Sequence, residues 1–309
     1  MNSTPISPRP RTSDPRPRTS DLRTVVYTPD TGLKHPLDLV RGMWNDAFCH
    51  QSRSLAWRLF VRNISAQFRQ SLLGYFWLFF PPLVNSAVFI FLNSRGIVKI
   101  PDTGVPYPVF VLLGNLLWQM LIMMMQAPLQ GINREKGLLT KLNFSREALL
   151  VASFLEGGAM ALIPLVAVPV ILFCFRNSID SSLVTRYTLL APVGILGLCI
   201  FAFSIGVFLT PIGALYQDIG RAIPVVARFW MFVTPVIYAL PTEKGLTRTL
   251  LTLNPATPFI ETARDWMLGQ SADLLPLFAV YFGLSLLLLA FGLIVYRLAM
   301  PIIVERMSA

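Results

Sequence analysis

The sequence predicts an all-α integral membrane protein: six transmembrane helices, an N-terminal amphipathic interface helix, and short re-entrant helices between spans five and six. Three observations predict it. Hydrophobic residues make up 54% of the 309-residue chain and charged residues only 14%, where a soluble domain carries about 25%. The mean hydropathy is +0.60. Uncharged runs recur at the length of about 20 residues that a helix needs to cross hydrocarbon. The same composition excludes other classes. Three cysteines, one isolated at Cys49 and two in apolar runs at Cys174 and Cys199, make neither a disulfide scaffold nor a thiolate metal site. Two histidines, His35 and His50, leave little for zinc chemistry or a Ser-His-Asp hydrolase. No catalytic, cofactor-binding or metal-ligating residue is therefore assigned.

The formal net charge of +10 is uneven: residues 1–71 hold 11 Lys/Arg against 5 Asp/Glu. Residues 8–14 and 15–21 repeat the heptapeptide PRPRTSD. Alternating proline and arginine forms neither helix nor core, so residues 1–43 read as a disordered basic arm and linker. No apolar run follows the arginines, so the arm does not read as a signal peptide. It suits either attraction to anionic membrane lipids or a merely solvated tail. Residues 44–71 read as the interface helix. Trp57, Phe60, Ile64 and Phe68 fall in a stripe about 80° wide, with Arg58, Arg62 and Arg69 on another face.

The spans follow at about 72–94, 108–132, 148–175, 188–211, 223–240 and 274–297, within a transmembrane domain at 72–300 and ahead of a tail at 301–309. Pro81 and Pro82 kink the first, Glu156 is the single acid at depth in the third, and Arg297 and Pro301 end the last. Span five is the ambiguous one, carrying Arg228 and Pro224, Pro235 and Pro241. After it, Pro255 and Pro258 break a stretch too short to cross. Broken helices at membrane depth need protein or a water-filled cavity to cover their free backbone groups; a surface loop is the other reading. Six spans put both termini on one side. Placing them in the cytoplasm puts 18 Lys/Arg inside and 7 outside, Arg264 among the latter, which fits the positive-inside rule. The positive charge thus reports sidedness, and no nucleic-acid partner is implied.

No G-x-x-x-x-G-K-[ST] string occurs, so the chain carries no phosphate-cradling loop of its own. With one acid at depth, coupling to an ion gradient is a poor fit. Energy is expected to arrive through two mixed-charge loops, 133–147 and 215–221. Aromatics crowd span one, and Tyr75, Phe76, Trp77 and Phe80 could offer stacking surfaces in a channel or face lipid.

Specific strings then converge. Residues 69–77 read RQSLLGYFW, with Pro81-Pro82 beyond; residues 105–118 read VPYPVFVLLGNLLW; residues 141–147 read KLNFSRE. Residues 234–238 read TPVIY and 253–255 read LNP. In this order they resemble the membrane subunits (permeases) of ABC transporters of type 2 that export polysaccharides and polyol phosphates, such as O-antigen, capsule and teichoic acid. Two departures stand out: Ser145 replaces a proline of the family pattern, and Gln217 replaces the arginine of its Y-R-D.

The resemblance implies a homodimer enclosing a polysaccharide channel in the cell inner membrane. Each copy would dock a Walker-type ATPase subunit that supplies ATP and Mg. The docking residues would be Arg62, Arg69, Arg134, Glu135, Lys141, Arg146, Glu147, Tyr216 and Asp218. Pro235, Tyr238, Asn254 and Pro255 would belong to an exit gate. The cargo would be a lipid-linked cell-surface polysaccharide. A drug or lipid exporter keeps the architecture and changes the cargo. A lipid-linked sugar transferase would need an acid pair, of which Glu261 with Asp265 is the nearest, and a structural anchor would not need proline-broken helices.

Overall fold

In a computed structural model, the described residues are 50–67, 73–97, 103–137, 146–175, 185–241, 243 and 245–308. All of them are helix, turn or irregular structure, as an all-α fold requires. The helices are α1 (His50–Gln67), α2 (Phe76–Ser94), α3 (Tyr107–Arg134), α4 (Arg146–Leu162), α5 (Ala167–Cys174), α6 (Ala191–Leu215), α7 (Gln217–Val233), α8 (Leu246–Leu253), α9 (Ala256–Met267) and α10 (Leu275–Ser308). A 3₁₀ turn at Ile163–Val166, with Pro164 inside it, joins α4 to α5. These helices belong to one unit, Pro36–Ala309. The basic arm at 1–43, and residues 44–49 and 68–71 of the predicted interface helix, lie outside the described residues.

Five segments are long and apolar enough to cross a membrane: Phe76–Ser94, Tyr107–Arg134, Glu147–Cys174, Thr188–Leu215 and Leu275–Glu305. They match five of the six predicted spans. The stretch expected at 223–240 differs. Its helix, α7, starts at Gln217 and stops at Val233 after 17 residues, about 25 Å at 1.5 Å per residue, short of a hydrocarbon core of about 30 Å. The cause is Pro235. A residue preceding proline is pushed out of the helical region, and Thr234 sits extended at φ −108°, ψ 138°. At the other end of the chain, α10 continues through Pro301 to Ser308, where an end near residue 297 and a separate tail were expected. Proline removes one backbone bond there, but Tyr296, Met300 and Ile303 on the same helix are buried, and that packing holds the helix together.

The core centres on α6, which packs against α10, α3 and α9. Small residues permit the close approach. A Cβ added at Gly194 would lie 3.0 Å from the Cα of Ala263 on α9, and one at Gly197 would lie 2.7 Å from the Phe278 ring on α10. At Gly206 it would run into the Met125 carbonyl of α3. The helix α3 is the most deeply enclosed span, with α4 on one side and α6 on another.

The interface helix α1 is docked on the bundle by a face other than its aromatic one. Ser52, Ala56, Leu59 and Asn63 are buried, whereas Trp57 remains 58% exposed. The buried set repeats at i, i+4, i+7 and i+11 and packs on α4. The Trp57–Phe60–Ile64 side lies roughly 110° around the helix, leaving an apolar face free for lipid.

Gly206→Val should be among the most damaging single changes in the bundle. Overpacking typically costs about 1–3 kcal/mol, and here the obstacle is a backbone carbonyl that cannot rotate away. A thermal unfolding midpoint in detergent well below the parent's, together with reduced yield, is the expected outcome; an unchanged midpoint would contradict this packing.

Candidate functional site

The two chain breaks foreseen at Pro235 and Asn254-Pro255 meet in space, at the Tyr107 end of α3. Both residues preceding those prolines are extended, Asn254 at φ −68°, ψ 118°. The Asn254 side chain is the hub. Its Nδ2 donates to the Val233 carbonyl (3.2 Å) and to Thr234 Oγ1 (2.8 Å). Its Oδ1 accepts from Trp230 Nε1 (3.0 Å) and from the Ala256 N–H (3.1 Å). One buried amide thus holds the end of α7 against the start of α9 and uses both donors and its acceptor to do so. Tyr238, the fourth predicted gate residue, donates its hydroxyl proton to the Phe232 carbonyl (3.2 Å).

Arg264 was expected among the outward-facing cations of a loop. It is instead 1% exposed, because α9 is inserted into the bundle. Its Nη1 donates to the Pro235 carbonyl (3.1 Å), its Nη2 lies 2.5 Å from Glu261 Oε1, and its guanidinium sits 3.6 Å from the centroid of the Phe110 ring. The i,i+3 spacing on α9 brings the Glu261 carboxylate to the arginine, and the ring face adds a cation–π contact. Tyr107 and Tyr281 complete the set, donating to the Ile237 carbonyl (3.1 Å) and the Leu253 carbonyl (2.8 Å). Behind them the rings of Trp118, Trp230, Phe201, Phe259 and Phe278 form a contiguous cluster, with Trp118 edge-on to Trp230 at 5.7 Å and Phe201 stacked on Phe259 at 4.7 Å.

The other end of α3 carries an ionic network. Arg134 pairs with Glu156 of α4, and Arg62 of α1 pairs with Glu135. Asn63 joins the two pairs: its Nδ2 donates to Glu156 Oε2 (3.3 Å), while its Oδ1 accepts from Arg62 Nη2 (3.0 Å). Lys136 Nζ donates to the Ala214 carbonyl at the end of α6 (3.2 Å). Glu156, the acid within the third predicted span, is therefore compensated by a guanidinium and an amide, as a buried charge requires.

Of the residues expected to contact an ATPase, Glu135 lies 3% exposed with its carboxylate turned to Arg62. Tyr216 is 64% exposed, and Asp218 is exposed beside Arg221 at 3.8 Å. Glu147 is half-buried; Arg69 and Lys141, and the Arg146 side chain, lie outside the described residues. The rings of Tyr75, Phe76, Trp77 and Phe80 are all exposed, and Trp77 meets Phe80 edge-on at 5.5 Å. Among the described residues no group of His, Cys, Asp and Glu is placed to hold a metal. Sequence reasoning missed Arg264, Asn63, Tyr107 and Tyr281. The signals available were an arginine three residues after Glu261 and tyrosines flanking proline-broken segments.

Apolar helices too hydrophobic for a soluble core, enclosing two proline breaks satisfied from within, define a multi-pass membrane protein. Residues 54–268 match the ABC-2 type transporter family model, and the chain belongs to that family. It is 25% identical over 209 residues to the O-antigen export system permease protein RfbA of Myxococcus xanthus, covering 67% of this chain and 77% of the relative. A protein of the same name from Klebsiella pneumoniae is 22% identical over 222 residues, 72% of this chain and 83% of that one.

Breaking the buried pair one-sidedly should be costly. Arg264→Met strands Glu261 and is expected to destabilise by about 3–5 kcal/mol. The double change Glu261→Gln with Arg264→Met should recover part of the loss, read as thermal unfolding in detergent; no recovery would mean that the Pro235 contact dominates.

Asp265, between the spans on α9, is pushed up to about 7 by burial and by the charges of Glu261 and Asp273, with Arg264 opposing. Folding thus favours the neutral carboxyl. This group's stability contribution is fully present below its ordinary value of 3.8 and is lost as pH rises through about 7. Asp265→Asn should therefore flatten the fall in stability between those limits. A parallel fall in the variant would assign the pH dependence elsewhere.

Proposed function

We propose that this chain is the membrane-spanning permease subunit of an ATP-driven exporter that moves a lipid-linked cell-surface polysaccharide across the inner membrane. The observation that carries the reading is family membership over 215 residues in the same chain as matches to permeases named for O-antigen export. The ionic network supports it physically. An interface helix locked by Arg62 and Asn63 to the ends of α3 and α4 can pass a movement at the membrane surface into two spans. Hydrolysis takes place in a separate ATPase subunit that holds ATP and Mg. The exposed Tyr216–Asp218 turn is its natural contact, since Arg62, Arg134 and Glu135 are engaged within the chain. The working unit is two copies with two such subunits. The helix α7 and the stretch after it run from Gln217 beside Asn133, at one end of α3, to Ile237 at its Tyr107 end; taken as the sixth crossing, they put both termini in the cytoplasm. The segment 234–267 serves as the outer gate, with Asn254 as its latch. The exposed rings of Tyr75, Phe76, Trp77 and Phe80 present stacking surfaces to a sugar chain.

Deleting the gene should leave cells without surface glycan and with lipid-linked polymer accumulating inside; normal surface glycan in the deletion strain would overturn the assignment. Asp218→Arg should reduce copurification of the ATPase subunit several-fold. Undiminished copurification with normal transport would remove the turn from the docking surface.

A further inference from the structure

The helix α3 is almost wholly apolar, yet Gln119, Gln126, Gln130 and Asn133 recur along it at i, i+7, i+11 and i+14. At 100° per residue they share a stripe about 60° wide. On that stripe a cavity of about 210 Å³ opens between α2, α3 and α4, and its polar lining includes Gln67, Gln119, Gln126, Gln130, Arg134 and Glu156. An adjoining groove of about 440 Å³ shares Gln126 and Gln130 and adds Asn133, Lys136, Gln217 and Arg221, where α3 faces α7; Lys136 donates to the Ala214 carbonyl and Arg221 lies beside Asp218. The polar surface is therefore continuous from α4 across α3 to α7. It covers about 16 Å along α3 from Gln119 to Gln130.

Three features decide what this surface suits. Uncharged amides dominate it, and the one ion pair within the cavity, Arg134 with Glu156, is internally compensated, so the cavity holds no surplus positive charge for a phosphate. Gln130 Nε2 donates to Gln126 Oε1 (2.7 Å), which leaves the Gln126 amide protons and the Gln130 oxygen available. Among the described residues Gln119 makes no side-chain hydrogen bond. A row offering donors and acceptors together complements hydroxyl groups, each of which is both. Finally, this side of the bundle is not suited to lipid. Arg228 is exposed on α7 and, by spacing, shares a face with Gln217 and Arg221. An arginine at that depth needs water or a counter-charge.

We infer that the Gln119–Gln126–Gln130 row is a hydrogen-bonding track for a neutral, hydroxyl-rich glycan chain. This deepens, and rests on, the export reading: the amides exchange hydrogen bonds with successive sugar hydroxyls along the chain. The track is distinct from the Tyr75–Phe80 rings. Leu78, which lines the cavity, lies roughly 150° around α2 from the centre of the Phe76, Trp77 and Phe80 positions.

The test is photo-crosslinking in cells making a lipid-linked neutral hexose polymer, with p-benzoylphenylalanine replacing Gln119, Gln126 or, as an exposed control on α10, Leu287. Glycosidase-sensitive adducts at 119 and 126 and none at 287 are expected. Alongside, Gln119→Leu with Gln126→Leu should slow export about tenfold, the worth of one or two hydrogen bonds, in protein that still inserts and copurifies with its second copy. Adducts to lipid alone, or no adduct at either position while the polymer is exported, would overturn the track, as would a double variant exporting at the parental rate. If the parental chain exports no polymer at all, the export reading itself falls; that result is separable from failure of the track, which requires an exporting parent.

Discussion

Breaking a helix where it packs into a bundle frees backbone carbonyls that need new partners, and this structure is arranged around answering that constraint. The breaks at Thr234-Pro235 and Asn254-Pro255 release the carbonyls of Val233, Pro235, Ile237 and Leu253. Each receives a side-chain donor: Asn254, Arg264, Tyr107 and Tyr281 respectively. A buried polar group left without a partner costs about 1–3 kcal/mol, so these four bonds help hold the segment between α7 and α10 against the bundle. Two of the four donors, Asn254 and Arg264, belong to the segment they stabilise, and Tyr107 and Tyr281 belong to spans. The broken segment is therefore anchored both to itself and to its surroundings.

That arrangement gives α3 a particular position. One of its ends holds Tyr107 and Phe110 against the broken segment, and the other holds Arg134 and Glu135 against α4 and α1. A helix enclosed along most of its length transmits displacement instead of bending, because packed interiors resist deformation. A movement of α1 would reach the Pro235 segment chiefly through α3. The close α3–α6 contact at Gly206 and the α3–α4 contact at Gly131, where a Cβ would lie 2.9 Å from Ser153, leave that helix little room to slip along its neighbours.

The fold was legible in the sequence wherever a one-dimensional property decided it. Uninterrupted apolar length marked five spans, and proline marked the two breaks, including the residues that join across them. What was not legible depended on which face of a helix meets which neighbour. Trp57, Phe60 and Ile64 formed the obvious stripe of α1, yet the docking face is Ser52, Ala56, Leu59 and Asn63, because small side chains let α1 approach α4 closely and Asn63 finds its hydrogen-bond partners there. Arg264 counted as a loop cation because a short polar helix with three charges, Glu261, Arg264 and Asp265, looks solvent-facing. Its burial becomes visible only once Phe110 and the Pro235 carbonyl are placed around it. Pro301 looked like a terminator, and packing of Met300 and Ile303 carried the helix past it.

The polar groups of the bundle then separate into two kinds. Asn63, Glu156, Asn254, Glu261 and Arg264 are matched by partners within the chain, and their chemistry is consumed in holding helices together. Gln119, Gln126, Gln130 and Asn133 repeat on one stripe, keep hydrogen-bonding capacity in hand and border open volume. Desolvating amides without partners is unfavourable, so a row of them along an otherwise apolar span is stable only if water or a polar chain occupies the space beside it. A glycan hydroxyl and a water molecule are nearly interchangeable to such an amide, and on the proposed track that near-equivalence would let a chain advance along the row without being held at any one point.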